Sequence, residues 1–274
     1  MNDDPDAAPV VSSVRGRVAV LTFNRPHARN SMTNDLQEAL IGALEELSED
    51  NRVGALVVTG SGSAFSAGGD IELMRSLPDL DPDTAVARLR EIYPAFIELL
   101  RFPAPTIAAI NGPAIGGGLG IALLCDIRVA GKSASFSAPF GTIGLPPGMG
   151  LTFLLPLVLG HARAIEMLLT SDRWDAAEAY RIGLVSTVVP DEQLMDEAVS
   201  LARRIASNAP LVMRAVTDEL RGRVLRGVEA ALSREVWAQS MAVRTADYRE
   251  GVAAIAERRP PLFLGEGPGG ATGA

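Results

Sequence analysis

The chain is poor in the residues that usually build metal and disulfide sites. Its 274 residues include 1 cysteine, Cys125, and 2 histidines, His27 and His161. A lone cysteine excludes an intrachain disulfide and a cysteine metal cluster. Histidines so far apart in sequence offer no zinc-ligand spacing. No uninterrupted apolar run of about 18 residues exists, so no transmembrane helix is expected. Positive charge is also short, with a formal net charge of -8 and a pI of about 4.9. That balance argues against nucleic acid as a partner, because phosphate binding needs a basic footprint. A small anionic ligand stays open, since a helix N-terminus or a local basic patch can hold one. Met1 to Pro9 carries neither the basic start nor the apolar stretch of a secretory signal. The expectation is a cytoplasmic protein.

What the chain does have is apolar material, 47% of its residues, enough for a sizeable core in one large domain or two small ones. Val18 to Phe23, Ala55 to Thr59, Thr106 to Ile110 and Asp126 to Ala130 read as strands, short and rich in β-branched or small apolar residues. Between them, Thr33 to Leu47 and Asp83 to Leu100 have helical spacing, the latter stopped before Pro103. Strands joined by helices, with continuous apolar character, predict an α/β fold with a largely parallel sheet. After Leu151 the pattern is mostly helical: Leu154 to Leu169, Ala176 to Arg181, Gln193 to Ala206, Pro210 to Leu220 and Gly227 to Glu257. Val185 to Val189 interrupts it as a strand. The division expected is a disordered start (1–10), a core (11–200), a helical layer (201–264) and a flexible Gly/Pro/Ala tail (265–274).

Glycine-rich stretches follow the strands: Phe65 to Ile71, Asn111 to Gly120 and Ile143 to Gly150. Glycine lets the backbone approach a ligand and adopt unusual dihedrals. A glycine-rich strand-to-helix turn aims free N–H groups at whatever sits at the helix start. Such turns on neighbouring strands can converge N–H donors on one oxygen, an oxyanion hole suited to a thioester carbonyl becoming an enolate. Close helix–strand packing would explain the same glycines. Neither a P-loop nor a dinucleotide fingerprint is present, since Gly-Lys-Ser/Thr is missing and the glycine spacing is wrong.

Several segments, taken in order, resemble the crotonase (enoyl-CoA hydratase/isomerase) superfamily over nearly the whole chain. They are Asn24-Arg25-Pro26 with Asn30; Phe65 to Ile71; Asn111 to Gly118 with Cys125-Asp126; and Leu145 to Gly150. Asp175 to Ala179 with Gly183-Leu184-Val185 and Val188-Val189-Pro190 continues the series, and Glu250-Gly251 with Glu257 to Phe263 completes it. The resemblance implies a crotonase-like ββα spiral core with a C-terminal helical trimerisation layer, and a homotrimer or dimer of trimers. It implies an acyl-CoA ligand, with coenzyme A arriving as part of the substrate and no permanently bound cofactor or metal. The N–H groups of Gly69 and Gly117 would form the oxyanion hole. Ala28, Arg29, Ala67, Asp70 and Ile71 would line the CoA path, with Asp70 bracing its loop. Arg258, Arg259 and Phe263 would help hold CoA, that of a neighbouring subunit included.

The chain departs from the family where protons move. The positions that carry catalytic carboxylates in relatives match Gly120, Phe140 and Gly148, none of which can transfer a proton. Losing one acid or base costs about 10² to 10⁴ in rate, so standard hydration is expected to be feeble. Glu72, Glu91 and Glu98 are candidates for a displaced base, although solvated helix charges look the same in sequence. His27 reads as a ligand contact or surface residue, His161 as structural, and Cys125 as a small core residue. Three functions fit: an enolate-forming isomerase, lyase or variant hydratase; a non-catalytic acyl-CoA carrier; or a structural subunit.

Overall fold

The computed structural model describes residues 7–265. The expected disordered start lies mostly outside that range, as does all of the expected tail beyond Gly265. Val10, the last residue of that start, is the first of a strand and is buried.

The chain opens as an antiparallel hairpin, β1 (Val10–Arg15) and β2 (Val18–Phe23), turning at Gly16, whose φ is 65°. α1 (Asn34–Glu49) follows and leads to β3 (Ala55–Gly60). Then come α2 (Ile71–Ser76), α3 (Pro82–Glu91) and α4 (Pro94–Arg101). β4 (Thr106–Ile110), β5 (Pro113–Ile115) and α5 (Gly117–Leu124) run on almost without connection. They are followed by β6 (Ile127–Gly131) and β7 (Ser135–Ser137). The second half holds α6 (Leu151–Leu159), α7 (His161–Thr170), β8 (Trp174–Asp175), α8 (Ala176–Arg181) and β9 (Thr187–Val189). It ends with α9 (Leu194–Ala206), α10 (Pro210–Ala242) and α11 (Ala246–Glu257).

The strands form a 6-stranded sheet in the order β1-β2-β3-β4-β6-β9 and a 3-stranded sheet in the order β5-β7-β8. From β2 to β9 every pairing in the large sheet is parallel. After each parallel strand the chain steps across toward the small sheet: β5 pairs with β7, and single bridges join Ser66 to Ala114 and Met32 to Gly69. That repeated step is the spiral, and it stacks the glycine-rich turns on one another.

β3 and β4 are buried along their whole length because both faces of the sheet are covered. Leu56, Val58, Ala108 and Ile110 face the main core with Leu36, Leu40 and Leu44 of α1. Ala55, Val57, Ile107 and Ala109 face Leu194, Ala198, Ala202 and Ala206 of α9. The alanines recur every fourth residue, one stripe of a helix, and their small size lets α9 lie close on the strands. α9 therefore belongs to the core, and the expected boundary at 200/201 falls inside a helix that cannot be divided.

Several expected helices differ. The 83–100 run breaks at Pro94, which lacks the N–H an uninterrupted helix needs and so starts α4. Tyr93 sits at the joint. The 154–169 run breaks at Gly160, whose backbone (φ 74°, ψ 162°) is far from helical. Conversely, 210–220 and 227–257 do not part at their glycines. α10 continues through Gly222 and Gly227, and a Cβ on Gly227 would meet the Phe153 ring at 2.2 Å. That glycine lets α10 pass over α6. The break comes at 243–245, where the Thr245 hydroxyl caps α11.

Candidate functional site

The first glycine-rich turn is held open by backbone-directed side chains. Asn30 Nδ2 donates to the carbonyls of Ser61 (3.0 Å) and Ala64 (2.9 Å), and Ser66 Oγ donates to the Asn30 carbonyl (2.8 Å). Gly68 has φ 87°, and a Cβ there would lie 2.4 Å from the Ile115 carbonyl. On the next turn a Cβ on Gly118 would lie 2.2 Å from the Ser66 carbonyl. Both positions are closed to any side chain, because the turns touch backbone to backbone. The packing explanation for the glycines is thus correct for Gly68 and Gly118.

Their neighbours do something else. Gly117 is the first residue of α5, where N–H groups lack intrahelical partners. Among the described residues, neither Gly117 N–H nor Gly69 N–H donates to a protein acceptor. Both residues line the same two spaces. One is an open groove of about 690 Å³, walled by Ala28, Arg29, Ala67, Asp70 and Ile71. The other is an inner cavity of about 50 Å³ walled mainly by aliphatic side chains, Leu73, Leu77, Leu89, Ile92 and Leu145 among them. Gly69, Asp70, Met74, Gly117 and Phe140 line both and form the passage between them. A small molecule site is typically a concave space of roughly 300–1,000 Å³ with few, placed polar groups. Free N–H groups at the neck of this one can receive a carbonyl oxygen that gains negative charge.

Asp70 Oδ1 accepts from the Glu72 N–H (3.0 Å) and caps α2, so it braces its loop. Glu72 lines the groove but is exposed and paired with Arg75 at 2.7 Å. Glu91 and Glu98 line neither space; they are surface partners of Arg88 (3.2 Å) and Arg101 (2.6 Å). Each pair sits within one turn of its own helix, and the side chains point to water. As displaced bases, Glu91 and Glu98 are ruled out by place. Arg258, Arg259 and Phe263 do not line the groove within a single chain, whereas Ile255 does. Arg259 is bound by Glu250 (2.9 Å) and Glu257 (2.5 Å), and its hydrogen bonds hold the Glu250 carboxyl down at about 2. His27 does not reach the groove, and His161 begins α7. Burial pushes the Cys125 thiol up to about 12, which removes its thiolate.

The positions that could carry carboxylates are filled from elsewhere. A Cβ on Gly120 would lie 2.2 Å from Met149 Cγ, so Met149 occupies that side chain's volume. Met149 is buried and takes φ 62°, rare for a residue with a Cβ. Phe140 lines both spaces, its ring beside Gly116. A Cβ on Gly148 would lie 2.4 Å from the Tyr93 hydroxyl and 2.6 Å from Gln239 Nε2.

Tyr93, Gln239 and Tyr248 were not foreseen in sequence. The Tyr93 hydroxyl donates to Gln239 Oε1 (2.7 Å) and Tyr248 to the Met74 carbonyl (2.9 Å). Burial raises the pKa of both phenols, so both stay protonated. Tyr93 and Gln239 are 146 residues apart, and no local spacing joins them. Glu235, one turn before Gln239, is buried under α6 and accepts from the N–H groups of Gly150 (2.7 Å) and Thr152 (2.9 Å). Burial raises its pKa against those hydrogen bonds.

Comparison with known proteins adds its own findings. The family model described as enoyl-CoA hydratase/isomerase matches residues 13–266. "Probable enoyl-CoA hydratase EchA12" of Mycobacterium tuberculosis is 40% identical over 93% of this chain and 92% of its own. Escherichia coli 2,3-dehydroadipyl-CoA hydratase is 36% identical, over 93% of this chain and 98% of its own. A solved enoyl-CoA hydratase/isomerase of Pseudoalteromonas atlantica superposes with a TM-score of 0.81 at 34% identity, covering 93% of this chain and 100% of that one.

Proposed function

The chain belongs to the enoyl-CoA hydratase/isomerase family, and from that premise we propose that it binds an acyl-CoA thioester and stabilises its enolate. The observation that carries this reading is the pair of unpartnered N–H groups, Gly69 and Gly117, at the neck between groove and cavity. The thioester carbonyl sits at the neck and the acyl group enters the inner cavity. The CoA portion follows the groove along Ala28, Arg29, Ala67 and Ile71, and leaves with the product. Loss of an α-proton places charge on the thioester oxygen, where the N–H groups and the α5 dipole meet it.

Standard hydration needs carboxylates to position water and move the proton. Gly120, Phe140 and Gly148 carry none, and Met149, Tyr93 and Gln239 crowd the space where two of them would stand. This favours an isomerase, lyase or variant hydratase over a standard hydratase. A second reading, a non-catalytic acyl-CoA carrier, is favoured by Phe140, which keeps the neck apolar. The assembly proposed is a homotrimer or dimer of trimers in the cytoplasm, with Arg258, Arg259 and Phe263 reaching a neighbouring subunit's CoA. Exposed Leu211, Val212, Val216, Leu220 and Trp237 on α10 suit such a contact.

The deciding experiment incubates the protein in heavy water with butanoyl-CoA, whose α-protons give an enolate on loss, and separately with crotonyl-CoA, which reports hydration, with mass spectrometry of each thioester. α-Deuterium without added water supports an enolate enzyme. Rapid hydration overturns the departure from standard hydratases. Binding with neither product favours the carrier.

A further inference from the structure

The inner cavity is walled mainly by apolar side chains; Asp70 lies at the neck, the Tyr248 hydroxyl donates to the Met74 carbonyl, and Tyr93 and Gln239 make the one polar pair in the lining. Tyr93 and Gln239 line it but not the groove, so they stand on the side away from the neck. The Tyr93 hydroxyl donates to Gln239 Oε1, and Gln239 Nε2 donates to the Pro146 carbonyl at 3.1 Å. By the donor and acceptor capacity of these groups, the phenol oxygen keeps its lone pairs and Nε2 keeps one N–H. Neither remaining group has a partner among the described residues. Gly148 brings the backbone against both atoms, since any side chain there would strike them. Gln239 is 1% exposed. A buried amide N–H left unpaired is destabilising, and a ligand oxygen would satisfy it.

We propose that Tyr93 and Gln239 form a specificity-determining polar subsite that selects short acyl groups carrying a neutral hydroxyl or carbonyl oxygen. This rests on the acyl-CoA reading above and deepens it. Size sets the first limit. A water-sized group needs roughly 10–15 Å³, so a cavity of about 50 Å³ holds only about four such groups beyond the thioester. Charge sets the second. The lining contains no Lys, Arg or His, and it does contain Asp70. A carboxylate would enter without a counter-ion, which is costly in an apolar space. Hydrogen-bond sense sets the third. A hydroxyl can donate to the phenol oxygen and accept from Nε2, whereas a carbonyl can only accept, and an alkyl end satisfies neither. The expected order is hydroxyl, then carbonyl, then alkyl.

The test measures binding of butanoyl-CoA and 4-hydroxybutanoyl-CoA by calorimetry to the full chain, Tyr93→Phe and Gln239→Leu. Both thioesters are saturated, so hydration does not interfere. The wild type should bind the hydroxylated thioester about tenfold more tightly, as expected for roughly one net hydrogen bond. Each variant should reduce that ratio at least about threefold. The ratio is taken on one sample, so a partly unfolded variant does not distort it. Equal affinities in the wild type, or a ratio unchanged in both variants, overturns the subsite while leaving acyl-CoA binding intact. Failure of both thioesters to bind the wild type overturns the acyl-CoA reading and the subsite together.

Discussion

The neck and the inner cavity are built by different means. At the neck, Gly68 and Gly118 press one turn against the other through backbone atoms alone. The N–H groups of Gly69 and Gly117 are left over by that packing. In the cavity, Tyr93 comes from the joint between α3 and α4, Gln239 from α10 and Tyr248 from α11. Their positions depend on how the helical layer seats on the spiral. On the function proposed above, backbone would supply chemistry common to any thioester, and side chains of the outer layer would supply discrimination.

The contrast breaks most severely at the joint between layer and spiral. Arg221 of α10, itself buried, donates to the carbonyls of Phe102 (2.5 Å) and Ala104 (3.0 Å) out of solvent, and to the solvent-reaching Asp126 carboxylate at Oδ1 (2.8 Å). Arg221→Leu strands those two buried carbonyls, while Asp126 keeps its bond from the Thr106 N–H (2.7 Å) and its access to water. Unfolding in denaturant should show a loss of about 1–3 kcal/mol for each stranded carbonyl, with hydrogen exchange rising along α10 before β3 and β4.

The neck is next. Gly69→Pro removes one N–H donor, and enolate formation, read as deuterium exchange into the thioester, should fall about 10² to 10³-fold. Gly69→Ala is the control. It keeps the N–H and displaces only the end of Met74, 2.3 Å from the added carbon.

Restoring a carboxylate should fail at first. Gly120→Glu collides with Met149, and overpacking should cost about 1–3 kcal/mol in thermal or chemical unfolding without hydratase gain. Adding Met149→Gly, which removes both the Cγ (2.2 Å) and the Cβ (2.7 Å) that the new side chain meets and suits the φ of 62°, should recover much of that stability. Hydration of crotonyl-CoA by the double variant is the assay that says whether space alone kept the carboxylate out.

The smallest expected effect is a pH dependence that separates two glutamates. Glu235 has its folded pKa raised by burial, so its stability is fully present below its unfolded value near 4.5. That contribution is lost as pH rises through the raised value. Glu250 is the opposite case. Held at about 2 by Arg259, it stabilises above about pH 4.5 and loses that contribution as pH falls toward 2. Being open to solvent on one side, it should matter less. Unfolding curves of Glu235→Gln and Glu250→Gln across pH should deviate from wild type in opposite windows.

Much of the spiral was legible in sequence because its signals are local. β2, β3 and β4 are short apolar runs buried on both faces, and their composition says so. The turns carrying Gly69 and Gly117 stood out by glycine spacing. α1 was readable from the leucine stripe that meets the sheet. Where the reading failed, the cause was a neighbour distant in sequence. Gly227 looked like a helix end, yet it is the clearance α10 needs beside Phe153. Glu91 and Glu98 looked like spare carboxylates, yet each faces water with an arginine one turn away.

The sequence by itself determined the kind of fold, the family resemblance, the glycine turns and the missing carboxylates. Each of these is written in residue types at short spacing. Only the tertiary structure decided what occupies the space beside Gly120 and Gly148. Met149 fills the volume at Gly120, and Tyr93 with Gln239 fills it at Gly148, because side chains far apart in the chain meet there when α10 closes over the spiral. Volume and hydrogen-bond partnership in a packed interior belong to the whole fold, and no local stretch encodes them.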